Sequence, residues 1–394
     1  MKKIIALLLV VVLCCSMFAA CGKTESAAPA APAAPAQDTS TNLGDTPDAI
    51  APDADVVANA DEYPEIHLIV NDYNVANSGP GQATQMACDY ITEASGGKIT
   101  FDVYLGGTLC EAGDSFSGTA TGLADITYYM SGLTSGVQTV GEMFTQVYHR
   151  AMPQVTGITE IIRKTFEEVP AFQDELQKQG LYCLTAYSTP HSYMAFGSEK
   201  GMNVRTPADL KGIIIQASSA YLIESYNDYG ITSLAMGPAD WYSNLERGVC
   251  DALVLNMPCY SDFGMMELIK SYVWFGEREA GGGYSSGAAT YLMNYEKWSS
   301  LPENVQALIV EGFTKAADWC VERDLATETE LIKSEFSTKP VNYITDEECE
   351  AFYELALNTI SKWKVAAANA GYDGEAIFAQ YNAIIDEYWA NNAE

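Results

Sequence analysis

Residues 205–256 read RTPADLKGIIIQASSAYLIESYNDYGITSLAMGPADWYSNLERGVCDALVLN, and the punctuation of this stretch decides the fold. Thr206 offers a hydroxyl cap and Pro207 takes the first helical position, so a helical turn starts there and runs through Ala208 and Asp209. Gly212 stops that turn. Ile213-Ile214-Ile215 is a β-branched run too short for anything but a buried strand. Ser218-Ser219 caps an amphipathic helix carrying Leu222, Ile223 and Tyr226, which Gly230 ends. Ile231 to Ala235 reads as a second strand, Pro238 to Arg247 as a helix closed by Gly248, and Cys250 to Leu255 as a third strand. Strands alternating with helices imply a parallel sheet, and such sheets bind ligands at the carboxyl ends of their strands. Gln216, the turn at 237–242 and Asn256 all fall at such ends.

Upstream, the same alternation opens the folded part of the chain. Ile66 to Val70 is a strand, Gln82 to Ala94 a helix and Ile99 to Tyr104 a strand. Ala112 to Gly122 is a helix and Asp125 to Tyr129 a strand. Asn77 and Ser78 after the first strand, Glu111 after the Gly106-Gly107 turn, and Tyr128 and Tyr129 at the third strand sit at carboxyl-end positions and are candidate contacts. Thr159 to Gln179 reads as one long helix that Pro170 breaks or kinks. Leu181 to Tyr187 is a strand, and the segment through Phe196 crosses into a second lobe. His191, beside Ser192 and Tyr193 at that crossing, is a candidate to line a cleft. Tyr272 to Gly276 and Tyr284 to Asn294 are strands that cross back. Long helices follow, from Leu301 to about Ser334 with a gap in regularity near Arg323, from Thr345, and from Glu375 to Trp389.

The 394 residues exceed what one core organises, since chains split into domains beyond roughly 250–300 residues. A net charge of -31 repels nucleic acid and anionic lipid surfaces, which excludes both as partners. Met1-Lys2-Lys3 followed by the apolar run Ile4 to Leu13 is a secretory signal, too short for the about 20 apolar residues of a membrane span. Ala19-Ala20 before Cys21 resembles a bacterial lipoprotein cleavage box, which implies lipidation of Cys21. Residues 22–61, with the repeat-like AAPAAPAAPA, read as a disordered tether. Of the 10 cysteines, Cys14 and Cys15 leave with the signal and Cys21 is lipidated; the others lack CxxC spacing, so neither a disulfide framework nor a zinc site follows. The 3 histidines give no metal signal, and no cofactor fingerprint stands out. Gly283-Tyr284-Ser285-Ser286-Gly287 matches the nucleophile elbow G-x-S-x-G, but that fold needs its His after the Ser, and every His here precedes it. A flexible turn between crossing segments is the plainer reading.

Several of these segments, taken in order, resemble a known family. Thr206-Pro207-x-Asp209-Leu210-Lys211-Gly212, then Trp241-Tyr242-x-x-Leu245-x-x-Gly248-Val249-x-Asp251, is similar to the solute-binding receptors of TRAP (tripartite ATP-independent periplasmic) transporters. Ser95-Gly96-Gly97-Lys98-Ile99, Gly106-Gly107-Thr108-Leu109 and Gly122-Leu123-Ala124-Asp125-Ile126 extend the resemblance over most of the chain after about residue 62. It implies an α/β, two-lobe periplasmic-binding-protein-like fold, with a ligand cleft between the lobes and a long connecting helix for which 301–334 is the candidate. The expected layout is a signal at 1–21, a tether at 22–61, lobe I from 62–185 plus about 276–305, and lobe II from 186–275 plus about 306–394.

The resemblance also implies a function. An exported receptor, anchored by lipid at Cys21 to the outer face of the cell membrane, captures a small organic solute and delivers it to small and large integral TRAP subunits. In that family an Arg at the end of the strand before Ala217 clamps the ligand carboxylate; here the strand ends in Gln216, whose amide donates without charge. Either another cation takes over, with Arg278 and Arg150 the candidates, or the ligand is not a simple carboxylate. Asn256 lies where the family places a ligand-contacting Asn, and Trp241 could stack on a ligand face. A receptor for an ATP-driven importer shares the two-lobe logic, and a lipid-anchored hydrolase using Ser285 is the reading from another class.

Overall fold

The computed structural model describes residues 47–52, 60–134, 136–217, 219–276 and 283–392. The signal, Cys21, Ser218, Arg278 and nearly all of the tether lie outside them.

The first βαβαβ run folds as read. It comprises β1 (Ile66–Asn71), α1 (Gly79–Ala94), β2 (Ile99–Tyr104), α2 (Ser115–Ala120) and β3 (Ile126–Met130). Pro170 splits the next helix into α3 (Val155–Glu168) and α4 (Ala171–Lys178), because its ring cannot donate to the helix ladder. β4 (Leu181–Ser188) follows, and β5 (Tyr193–Phe196) begins the second sheet. The deciding stretch gives β6 (Ile214–Gln216), α5 (Ala220–Asp228), β7 (Thr232–Leu234), α6 (Pro238–Glu246) and β8 (Ala252–Leu255). Gly230 and Gly248 end the two helices at φ of 72 and 66, a left-handed backbone that glycine adopts without a Cβ penalty. The chain continues through α7 (Met257–Asp262), β9 (Ser271–Phe275), β10 (Ala288–Asn294), α8 (Tyr295–Ser300) and α9 (Glu303–Thr338), then β11 (Val341–Ile344), α10 (Asp346–Asn369) and α11 (Gly374–Asn392).

Two sheets result. One has the order β2-β1-β3-β10-β4, the other β11-β9-β5-β8-β6-β7. β1, β2 and β3 run parallel, whereas β10 is antiparallel to both β3 and β4. β6 is parallel to β7 and β8, while β5 is antiparallel to β8 and β9. The chain passes between the sheets at 189–192 and again through the stretch that begins after β9. These crossings pair with each other: Ser192 N donates to Ser285 O at 2.7 Å, and Tyr284 N to Ser192 O at 2.9 Å. The strand expected from Tyr284 therefore starts at Ala288, since its first residues are spent on this inter-sheet pairing.

α9 is continuous, with no break at Arg323. Its apolar pattern falters there for a positional reason. Val305 to Val321 packs on the first sheet's core, Ile332 on the second sheet's core, and the turn between them faces buried polar groups. The helix thus ties the lobes together, as the long helix of the two-lobe fold does.

Candidate functional site

The segment after β3 in the first sheet and the start of α5 after β6 in the second meet through Gln146 and Ser219. Gln216 ends β6 and is 2% exposed; its Oε1 accepts from Val254 N at 3.4 Å, which pins the amide to the neighbouring strand. Three residues on, Ser219 caps α5 and is buried. From the first lobe, the segment after β3 comes down on this cap. Gln146 Nε2 donates to Glu142 O at 2.6 Å and to Ser219 Oγ at 3.2 Å, so one amide joins the lobes. A Cβ on Gly132 would lie 2.6 Å from Thr145 Cγ2, so the turn after β3 packs against the residue before Gln146. Gly132 has φ 76, and no larger residue fits that approach.

The crossing itself carries His191. The imidazole is 2% exposed, its Nδ1 lies 2.8 Å from Tyr148 Oη, and burial pushes its pKa down to about 4. It is neutral at pH 7 and packed in the crossing, not a solvent-facing turn residue. The G-x-S-x-G run forms this same crossing: Ser285 bridges Val147 and Ser192 in extended backbone. A nucleophile elbow is a sharp strand-to-helix turn, so the geometry does not favour the hydrolase reading.

A second buried polar cluster forms around the start of α1. Asp72 accepts from Asn74 N and Nδ2, each at 2.8 Å, and from Thr84 Oγ1 at 2.6 Å, while burial pushes its pKa up to about 6. Ser78 caps α1, accepting from Gly81 N at 3.2 Å. Gly79 abuts α9, where a Cβ would lie 2.3 Å from Asp324 Oδ1. Arg323 binds Asp324 Oδ1 at 2.7 Å and lies 3.8 Å from Asp262 Oδ2 at the end of α7. Burial pushes Asp262 up to about 7, against the pull of Arg323 and of the Gly79 N–H. Beyond it, Tyr193 Oη donates to Glu328 Oε1 at 3.1 Å.

The other sequence candidates are distributed unevenly. Asn256 is 7% exposed and caps α7, its Oδ1 accepting from Cys259 N at 2.8 Å. Trp241 is buried in the second lobe's core, edge-on to Phe263, with Nε1 donating to Met236 O. Packing accounts for it. Tyr128 and Tyr129 point to opposite faces of the first sheet, one against Tyr73 and Tyr291, the other against Phe116. The strand runs on to Met130, so Ser131 holds the carboxyl-end position. Asn77 and Glu111 are exposed. Arg150 pairs with Asp386 of the last helix at 2.8 Å, and Arg278 lies outside the described residues. Arg323 is the buried cation among the described residues, and it is already held by two carboxylates. Sequence reasoning missed Ser131, Gln146 and the Asp262–Arg323–Asp324 group. Asp72 and Ser131, each directly after a strand, carried a signal within reach of the strand-end rule.

A family model described as bacterial extracellular solute-binding protein, family 7 (DctP) matches residues 70–365. No curated protein matches by sequence. Among solved structures, a marine metagenome TRAP solute-binding protein from an unidentified microbe, specific for aromatic acids and bound to metahydroxyphenylacetate, is 16% identical. It superposes with TM-score 0.72 over 82% of this chain and 99% of that one. A TRAP solute-binding protein from Rhodoferax ferrireducens T118, with copurified benzoate, is 18% identical at TM-score 0.71, over 83% and 100%. One from Desulfovibrio salexigens, with bound orotic acid, is 16% identical at TM-score 0.71, over 82% and 99%. At these identities the likeness speaks for the fold.

Proposed function

The chain belongs to the DctP family of bacterial extracellular solute-binding proteins, and on that premise we propose that it captures a small organic acid and delivers it to a TRAP-type secondary transporter. The observation that carries the reading is the hydrogen bond from Gln146, after β3 of one sheet, to Ser219, three residues beyond buried Gln216 at the end of β6 of the other. A solute there contacts both lobes at once, so binding favours the arrangement in which they lie together. The donors are neutral: the Gln216 amide stands where relatives use a guanidinium, and hydrogen bonding replaces a salt bridge. Relatives of the same fold with benzoate, orotate and aromatic acids bound support an organic acid as the solute class.

Delivery to small and large integral membrane subunits follows from the family. Anchoring through Cys21 rests on the Ala19-Ala20-Cys21 sequence alone, and Cys21→Ala should release the protein from membranes. Thermal-shift screening against aromatic acids, hydroxy acids, sugar acids, polyols and nucleosides tests the capture. An acid that raises Tm in proportion to the logarithm of its concentration supports the reading. A response confined to uncharged polyols or nucleosides contradicts it.

A further inference from the structure

Resting on the solute-capture reading, we propose that Asp262 is a proton-dependent latch between the lobes. Its carboxyl takes up one proton from solvent as the lobes come together, so acid favours the closed, solute-holding form.

Three elements converge on one atom, Arg323 Nη1 of α9. Asp324 Oδ1, on the same helix, lies 2.7 Å from it, and Asp262 Oδ2, at the end of α7 in the second lobe, lies 3.8 Å from it. From the first lobe, α1 comes close enough that a Cβ on Gly79 would lie 3.0 Å from the same nitrogen. The donors at the start of α1 show why a carboxyl belongs there. Gly79 is the first residue of the helix, so its N–H has no carbonyl partner within it. Pro80 has no N–H to offer, and the Gly81 N–H goes to Ser78 Oγ at 3.2 Å. The Gly79 N–H is left to the Asp262 carboxyl. A side chain of the second lobe thereby completes the N-terminus of a first-lobe helix. Its own helix gives no reason for an acid, because Asp262 closes α7 at the end where carboxylates are disfavoured.

Two carboxyls share this one guanidinium, and they share it unequally. Asp324 holds it at hydrogen-bond distance, whereas Asp262 stands beyond that reach. Arg323 and Asp324 are buried and the Asp262 side chain is 12% exposed, so one negative charge is in surplus where little water enters. The thiol of Cys259, on α7, also faces Asp262, and Tyr73, after β1, lies beside Cys259; burial pushes both up, and they stay neutral. Burial likewise pushes Asp262 up to about 7, with Asp324 adding to the rise and Arg323 and the Gly79 N–H opposing it. Parting the lobes takes the carboxyl away from α1 and into water, where its ordinary value is about 4. The state that holds the proton more tightly gains as pH falls. The closed form therefore has its full advantage below about pH 4 and loses it as pH rises through about 7. Between pH 6 and pH 8 the closing equilibrium should change by about tenfold.

Hydrogen exchange of the Gly79 amide in the full chain tests the latch without any solute. Corrected for the intrinsic effect of pH, its protection should be severalfold greater at pH 6 than at pH 8. In Asp262→Asn, whose amide oxygen still accepts but carries no charge, protection should be the same at both pH values and no lower than in the parent at pH 6. Asp262→Ala removes the acceptor and should lose the protection at both; it carries the test if circular dichroism shows that Asp262→Asn is not folded. Calorimetric titration with benzoate, orotate and mandelate, all ionised across this range, reads the coupling to capture. Affinity should fall about tenfold from pH 6 to pH 8, by the same factor for each acid that binds, and Asp262→Asn should flatten the fall to within twofold. Protection of Gly79 that ignores pH in the parent overturns the latch, as does a pH effect that persists in both variants. Acids that bind with no pH dependence overturn it too and leave the organic-acid reading standing. Gly79 exchange as expected, with none of the three acids bound, upholds the latch and counts against that reading instead.

Discussion

Gln216→Arg puts back the guanidinium that the resembled receptors carry, and its consequences can be worked out from the site. Gln216 is 2% exposed, so without ligand the new cation is buried, and it also forfeits the acceptor that holds Val254 N at 3.4 Å. An unpaired buried charge costs about 3–5 kcal/mol. At roughly 2 °C per kcal/mol for a protein of this size, the ligand-free Tm should fall by about 5–10 °C. A bound carboxylate reverses the balance. Hydrogen bonds to charged groups contribute about 1.5–3 kcal/mol against about 0.5–1.5 for neutral ones, and a guanidinium makes two of them in its fork. The variant should therefore bind the same acid roughly tenfold to a hundredfold more tightly, and saturating acid should recover most of the lost Tm. Differential scanning calorimetry with and without ligand, joined to isothermal titration, reads both numbers. An unchanged ligand-free Tm with unchanged affinity would mean that position 216 faces water and not the solute.

The remaining predictions concern the frame around the site. Burial pushes Asp72 up to about 6 and Glu175 and Asp262 up to about 7. A carboxyl whose folded value exceeds its unfolded one holds its proton more tightly in the folded chain, so stability is greatest below about pH 4 and declines as pH rises through about 7. Thermal stability should fall between pH 5 and pH 8, and Glu175→Gln should flatten the fall by at most on the order of 3 kcal/mol; stability that rises across that range contradicts the assignment. Trp363 Nε1 donates to Thr139 O at 2.7 Å and ties the approach to Gln146 to α10. Trp363→Phe should lower stability by about 1–3 kcal/mol and weaken acid binding with it; unchanged affinity would separate this segment from the site. A Cβ on Gly312 would lie 2.6 Å from Ile91 Cγ1, between α9 and α1. Overpacking of about 1–3 kcal/mol there outweighs the roughly 1 kcal/mol of helix propensity gained by Gly312→Ala, so Tm should drop, and a rise would place the helices further apart.

How much of this was legible in the sequence depended on whether the cause was local. The strand at Ile214-Ile215, the caps at Thr206 and Ser219, the stops at Gly230 and Gly248 and the break at Pro170 are decided by φ preference, hydrogen-bond donors and short-range period, and they stand where the residues put them. β11 and α7 escaped notice because four or six residues carry too little period to register. The gap expected at Arg323 came from treating a polar turn as a helix break, when the helix continues and only its neighbours change. Strand-end logic placed Gln216 at the end of β6 and Asn256 directly after β8, where they stand. It stopped short on β3, taking Tyr128 and Tyr129 as contacts, although both point sideways into the two helix layers and Ser131 follows the end of the strand. Gln146 had no signal at all. Its place depends on the 16 residues between the end of β3 at Met130 and the Val147 bridge to Ser285, and no periodicity governs that path.

The direct measurement is isothermal titration of the chain and of Gln216→Ala with the acid that gives the largest thermal shift. The account predicts one site per chain in the parent and, in the variant, a tenfold or greater loss of affinity with the fold intact by circular dichroism. Equal affinities in the two proteins would contradict it, because the solute would then be held somewhere other than the strand ends where the lobes meet.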